Sequence, residues 1–129
     1  MKQTILIVDD DIAILEAVEF LLESEGYNVI TLSNPEDLEK LFDIDEIKPD
    51  LIIMDVILSG GRDGRKIAKD LKKNKKTKSI PIILLSAHPA ALKKLSKKEA
   101  DGFLAKPFEI EDLLSVVKEG LKYLQEEKS

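Results

Sequence analysis

The sequence predicts an α/β fold, a doubly wound five-stranded parallel sheet with five helices, built as one domain over residues 1–129. Three observations predict it. Short apolar runs alternate along the chain with stretches whose apolar residues recur at helical spacing, the pattern of repeated βαβ units. The central runs are continuously apolar, as strands buried on both faces are. Several runs also end in a carboxylate, hydroxyl or amine, which collects polar chemistry at the carboxyl edge of the sheet, where open α/β sheets bind ligands.

The elements follow in order. Thr4-Ile5-Leu6-Ile7-Val8 is the first strand, and it runs out into Asp9-Asp10-Asp11. Asp11 suits an N-cap, and Ile14, Ala17, Val18 and Leu21 set a helical apolar stripe that Gly26 ends. Tyr27 to Leu32 reads as the second strand. Asn34 as cap and Pro35 in the first turn then open a second helix with Leu38, Leu41 and Phe42 on its apolar face. Lys48-Pro49-Asp50 breaks into the central strand, Asp50-Leu51-Ile52-Ile53-Met54-Asp55. A glycine-rich loop, Ser59 to Gly64, precedes a third helix carrying Ile67, Ala68 and Leu71. Pro81 to Ser86 is the fourth strand, Ala90 to Lys98 a short helical candidate, and Gly102-Phe103-Leu104-Ala105 the fifth strand. Ile110, Leu113, Leu114, Val117, Leu121 and Leu124 mark the last helix.

Composition bounds the function. With 129 residues and 43% hydrophobic content, the chain is long enough for one real core and short for two. A net charge of -5 argues against a generic nucleic-acid or anionic-membrane binder. The absence of cysteine removes disulfides and thiolate metal sites and fits a reducing cytoplasm. No apolar run approaches a membrane span and the N-terminus lacks the pattern of a signal peptide. The basic run from Arg65 to Lys78 reads as a solvated helix face, since no aromatic residues are interleaved for base stacking.

If the first and third strands lie side by side, Asp9, Asp10 and Asp55 converge. Carboxylates this close repel one another and call for a cation, and hard oxygen donors point to Mg2+ or a close relative. The turn after the first strand carries acids where nucleotide-binding folds need Gly, Ser or Thr, so dinucleotide and flavin binding are disfavoured. No GxxxxGK[ST] loop is present. What remains is metal-assisted chemistry on an anion, with Ser86 and Lys106 at the ends of the fourth and fifth strands and Pro107 beside the lysine.

Asp9-Asp10, Asp55, Ser86 and Lys106-Pro107 at these spacings resemble the receiver domain of two-component response regulators, the CheY-like family, over nearly the whole chain. The resemblance implies a flavodoxin/CheY-like fold and makes Asp55 the acceptor of a phosphoryl group from a histidine kinase or histidine phosphotransferase. It assigns Mg2+ to Asp9, Asp10, Asp55 and the carbonyl of Ile57, and gives Lys106 and Ser86 contacts to the phosphoryl group. The family's cis peptide would precede Pro107, and Phe103 stands where the family has a switch aromatic, although it reads equally as plain core. Such a protein is no enzyme in the ordinary sense, because it catalyses only its own phosphorylation and dephosphorylation. It would be a stand-alone, cytoplasmic receiver whose phosphorylation changes binding to a downstream protein, with no nucleic acid or membrane partner. Ile12 and Leu15, expected outside the inward stripe and beside the acidic pocket, are candidate kinase-docking residues. Phosphoryl lifetime in the family varies with the positions occupied here by Ile57 and His88.

Departures from the family pattern bear on these expectations. The loop after Asp55 lacks the usual proline and is longer, and its Gly60-Gly61 pair predicts looseness. The segment between Ser86 and Lys106 is short, and Pro89 sits where a helix would start, which predicts a short or frayed fourth helix. Two other functions fit the residues less well. A haloacid-dehalogenase-like phosphatase would use Asp9 as nucleophile and Asp11 as acid/base, but Ala13 stands where that motif wants Thr or Val. A phosphorylation-independent interaction module would keep the fold without the chemistry.

Overall fold

The computed structural model describes residues 2–34, 36, 37, 48–88 and 100–128. In chain order these form β1 (Thr4–Val8), α1 (Ile12–Ser24), β2 (Asn28–Leu32) and β3 (Leu51–Asp55), then a 3-10 turn at Ser59–Gly61 and α2 (Gly64–Lys73). They continue with β4 (Ile82–Ser86), β5 (Gly102–Ala105) and α3 (Ile110–Lys128). The five strands make one parallel sheet, as the sequence predicts, and its strand order is β2-β1-β3-β4-β5. The expected helices on Leu38, Leu41 and Phe42 and over Ala90 to Lys98 lie outside the described residues. At the start of the former, Asn34 Oδ1 accepts from the Glu36 N–H at 3.0 Å, the expected cap contact.

Successive side chains of a strand point to opposite faces, so a continuously apolar strand feeds two cores at once. Ile5 and Ile7 of β1, Leu51 and Ile53 of β3, and Ile83 and Leu85 of β4 pack with α1 and α3 in one cluster. Leu6, Val8, Ile52, Met54, Ile82 and Leu84 fill the other, where α2 contributes Ala68, Ile67 and Leu71. Each face is thus covered by helix, and the sheet divides the molecule.

The helical stripes are placed differently from the sequence expectation in two respects. Leu15 is 5% exposed and lies in the core with Val18 and Leu22, while Ala17 faces solvent. Ile14 and Leu21 pack only at its margin. The apolar residues of α1 span a broad arc, and period alone does not fix which part of that arc meets the sheet. Leu15 is therefore a core residue rather than a surface docking residue, whereas Ile12 is 54% exposed. In α3, Leu113, Val117 and Leu121 form the buried stripe, and Ile110 at the first position is 52% exposed.

Candidate functional site

Strand register assembles the site. Val8 pairs with Met54, so the residues that follow β1 and end β3, Asp9 and Asp55, emerge side by side. Asp55 pairs with Leu85 and Ser86 with Ala105, which brings Ser86 and then Lys106 to the same edge. The Lys106 N–H donates to the Ser86 carbonyl at 2.8 Å, extending the ladder to the lysine. From there the Lys106 ammonium reaches back across the sheet end, 2.7 Å from Asp9 Oδ2 and 2.6 Å from Asp55 Oδ2.

The second carboxylate oxygens are held locally. Asp9 Oδ1 accepts from the Asp11 N–H at 2.9 Å, and Asp55 Oδ1 accepts from the Ile57 N–H at 3.2 Å. Asp11 itself caps α1, accepting from the Ala13 and Ile14 N–H groups, in line with its reading as a cap. Asp10 is exposed on the rim. Oxygens of Asp9, Asp10 and Asp55 all lie within 4.8 Å of one another.

Charge in this pocket is unbalanced, with three carboxylates facing one ammonium. Burial pushes the Asp9 carboxyl above the ordinary carboxylate range, against the lowering effect of Lys106 and the Asp11 N–H. Burial alone would disfavour the Lys106 ammonium. Its hydrogen bonds to Asp55 and Asp9 and their negative charges outweigh that and hold its pKa above the usual lysine value. An arrangement with surplus negative charge and only oxygen donors suits a small hard cation.

Ser86 is buried, and its hydroxyl is engaged with the backbone of His88, accepting from the N–H at 2.9 Å and donating to the carbonyl at 3.1 Å. Phe103 is half-buried against the α2-side core beside Leu84, its register partner. The Lys106–Pro107 peptide is cis. Ile57 projects at 57% exposure next to the acids.

The loop after Asp55 is closed rather than loose. Ile57 bridges to Asp63, the Leu58 N–H donates to the Arg62 carbonyl at 3.0 Å, and Leu58 is buried. Gly60 and Gly61 both take φ of 73°, the left-handed region that lets the extra residue be absorbed at the tip. Asp63 then caps α2, accepting from the Arg65 N–H at 2.9 Å, and its hydrogen bonds from the Arg65 guanidinium hold its carboxyl below the usual range.

One positioning residue escaped the sequence reading. The Gly64 N–H donates to the Val56 carbonyl at 2.7 Å, and a Cβ on Gly64 would collide with the backbone carbonyl of Asp55. The helix start therefore rests directly on the backbone that presents the central carboxylate. The signal available was the Asp63-Gly64 pair at the loop-to-helix junction, a turn signature that does not say which backbone the glycine approaches.

The profile of the response regulator receiver domain family matches residues 5–118. The chain belongs to this family. The receiver is 34% identical to the response regulator protein TrrA of Thermotoga maritima, solved in complex with Mg2+–BeF. That match covers 91% of this chain and 97% of the relative, with a TM-score of 0.79. It is 28% identical to a CheY-like response regulator receiver domain protein of Methanospirillum hungatei, over 98% of this chain and 99% of that one, with a TM-score of 0.83. It is 31% identical to the signal receiver domain of a signal transduction histidine kinase from Syntrophus aciditrophicus, over 93% of this chain and 90% of that one, with a TM-score of 0.80. Among the described residues of the receiver no helix is long and apolar enough to cross a membrane.

Proposed function

We propose that this receiver accepts a phosphoryl group on Asp55 from a phosphohistidine of a histidine kinase or phosphotransferase, in the cytoplasm, and that phosphorylation changes its binding to a downstream protein. The observation that carries this reading is the Lys106 ammonium held between Asp9 and Asp55 at the carboxyl edge, with Asp10 beside them. It unites a nucleophile, a fixed positive charge and a cation-seeking set of oxygens.

Asp9, Asp10 and Asp55, with the Ile57 carbonyl, would hold Mg2+, a reading the Mg2+–BeF complex of the Thermotoga relative supports. Bound Mg2+ supplies charge neutralisation for the phosphoryl oxygens and the entering carboxylate. An Asp55 oxygen forms the new P–O bond while the P–N bond of the donor breaks and its electron pair returns to the imidazole. Lys106 sits within reach of the Asp55 oxygens, so its ammonium moves from carboxylate to phosphoryl oxygen without leaving the pocket. Ser86 would exchange its His88 backbone contacts for a phosphoryl oxygen, and Phe103 would respond to that movement. The reaction is with the chain's own carboxylate, so there is no turnover of a separate substrate. Ile12, exposed beside the acidic turn, is the residue left to meet a protein donor.

The test is phosphorylation by acetyl phosphate or phosphoramidate, followed by intact mass spectrometry. One added phosphoryl group is expected with Mg2+ and none with EDTA. Equal uptake in EDTA would overturn the role given to the acids.

A further expectation concerns lifetime. Hydrolysis of the acyl phosphate needs a water in line with the P–O bond, and the exposed, branched side chain of Ile57 cannot orient one by hydrogen bonding. Ile57→Asn should accelerate dephosphorylation by about tenfold, a barrier change of ~1.4 kcal/mol. His88→Ala should change it little, since His88 is exposed and its backbone, rather than its ring, makes the contacts with Ser86. A fast wild-type decay that collapses in His88→Ala would overturn this assignment.

A further inference from the structure

Among the described residues, two helical stretches of opposite charge lie on opposite faces of the sheet. Residues 62–78 carry nine Lys or Arg against two Asp, while residues 9–25 carry seven Asp or Glu and no Lys or Arg. α1, from the acidic stretch, packs on one face of the sheet, and α2, from the basic stretch, packs on the other.

The basic end has a built shape. Lys72 is tied internally, its ammonium 2.6 Å from Asp101 and 2.9 Å from the Ile80 carbonyl. The turn that follows is pinned by Thr77, which is 2% exposed and donates from Oγ1 to the Leu71 carbonyl at 2.6 Å. Asn74 closes it, accepting from the Lys76 N–H on its side chain and from the Thr77 and Lys78 N–H groups on its carbonyl. Lys75, Lys76 and Lys78 are left exposed around the buried threonine, so three ammoniums stand on an ordered backbone. Little backbone entropy is lost if they dock.

The acidic face offers a matching recess. A groove of about 290 Å³ is lined by Ile12, Leu15, Glu16, Glu19, Thr31 and Ser33. Ile12 gives it an exposed apolar wall for a lysine stem, with the buried Leu15 at its base, and the two glutamates and two hydroxyls suit an ammonium head. The groove opens by the carboxyl ends of β1 and β2, while the lysine turn leads into the amino end of β4, on the opposite face. A chain cannot seat its own turn in its own groove.

We propose that this receiver self-associates head to tail, with the Lys75–Lys78 turn of one copy seated in the α1–β2 groove of the next. The contact is heterologous, so it propagates instead of closing as a symmetric dimer. Exposed ion pairs are individually weak and screened by salt, so the assembly is reversible and strongly dependent on ionic strength. The association does not rest on the phosphoacceptor reading. If that reading holds, a seated neighbour covers Ile12 and competes with a protein donor.

The test is sedimentation of the unphosphorylated, Mg2+-free protein over a concentration series. At about 0.01 M salt, where the Debye length is about 30 Å, the weight-average mass should climb past that of the monomer toward twofold and beyond. At about 1 M salt, where it is about 3 Å, the mass should return to monomer. Lys75→Glu with Lys76→Glu and Lys78→Glu should abolish the rise, as should Glu16→Lys with Glu19→Lys, each checked for a wild-type circular dichroism spectrum. An equimolar mixture of the two charge-reversed proteins should restore it, because each then offers the other a complementary pair of surfaces. The milder Lys75→Gln, Lys76→Gln and Lys78→Gln protein should also stay monomeric, which keeps the test decisive if a reversal unfolds the chain. A wild type that is monomeric at low salt overturns the proposal, including one that instead binds a polyanion such as polyuridylate. So does association that survives the turn substitutions, or folded reversed proteins that do not associate when mixed.

Discussion

Asp55→Asn should abolish phosphoryl uptake from both small donors and a phosphohistidine protein, leaving no added mass at Mg2+ and donor concentrations that label the wild type fully. The reason is chemical. An amide is a far weaker nucleophile than a carboxylate and forms no acyl phosphate, so the loss is total and not graded. The fold should survive the change. Three carboxylates crowd one ammonium here, and removing one relieves repulsion while Lys106 keeps its 2.7 Å contact to Asp9. The melting temperature is therefore expected to stay level or rise, and differential scanning calorimetry alongside the mass measurement separates lost chemistry from lost structure. Label appearing on another carboxylate with equal yield would remove Asp55 from its assigned role.

Leu15→Asp is expected to damage the whole molecule. Leu15 is 5% exposed and packs with Val18 and Leu22 against β1 and β3, in the core beneath the acidic edge. Truncating such a leucine costs about 2–5 kcal/mol, and placing a carboxylate there adds the cost of burying a charge. Bordering the α1–β2 groove, the new carboxylate gains some access to water, which limits the added cost, so a total loss of at least about 3 kcal/mol is expected. Against a typical domain stability of about 5–15 kcal/mol, that loss leaves the fold marginal. Urea denaturation should show the midpoint falling sharply, and phosphorylation by small and protein donors should fail together. Ile12→Asp, at a position 54% exposed, should leave the midpoint near wild type. A wild-type midpoint for Leu15→Asp would show that the position is surface after all.

These two residues show what the sequence discloses and where it stops. Asp55 was legible because a continuously apolar strand has one place for a carboxylate, its exit, and Asp9 repeats the pattern next door. Parallel pairing then makes their meeting almost obligatory, and Ser86 and Lys106 follow by the same rule. Leu15 was not legible, because apolar residues at 14, 15, 18, 21 and 22 support two neighbouring stripes. Only contact with the sheet chooses between them. Ile110 failed for a related reason, since the first residue of a helix can fit the period and still project past the end of the core. The closed loop after Asp55 was obscured by its glycines, which announce unusual backbone angles without saying whether hydrogen bonds fix them. Ser86 was readable as either a site hydroxyl or a turn hydroxyl, and its contacts with His88 are those of the turn.

The contact between Gly64 and the Asp55 carbonyl has a mechanical consequence. α2 is a strut of ten residues, about 15 Å long, whose foot stands on the peptide group of Asp55 itself, with no side chain between them. Its other end leads into the lysine turn. A displacement of the β3 exit would therefore meet the first turn of α2 directly, with no side chain to give way between them. The acidic rim and the lysine turn are thereby joined by one helix, held between its two ends by the packing of Ala68 against the sheet.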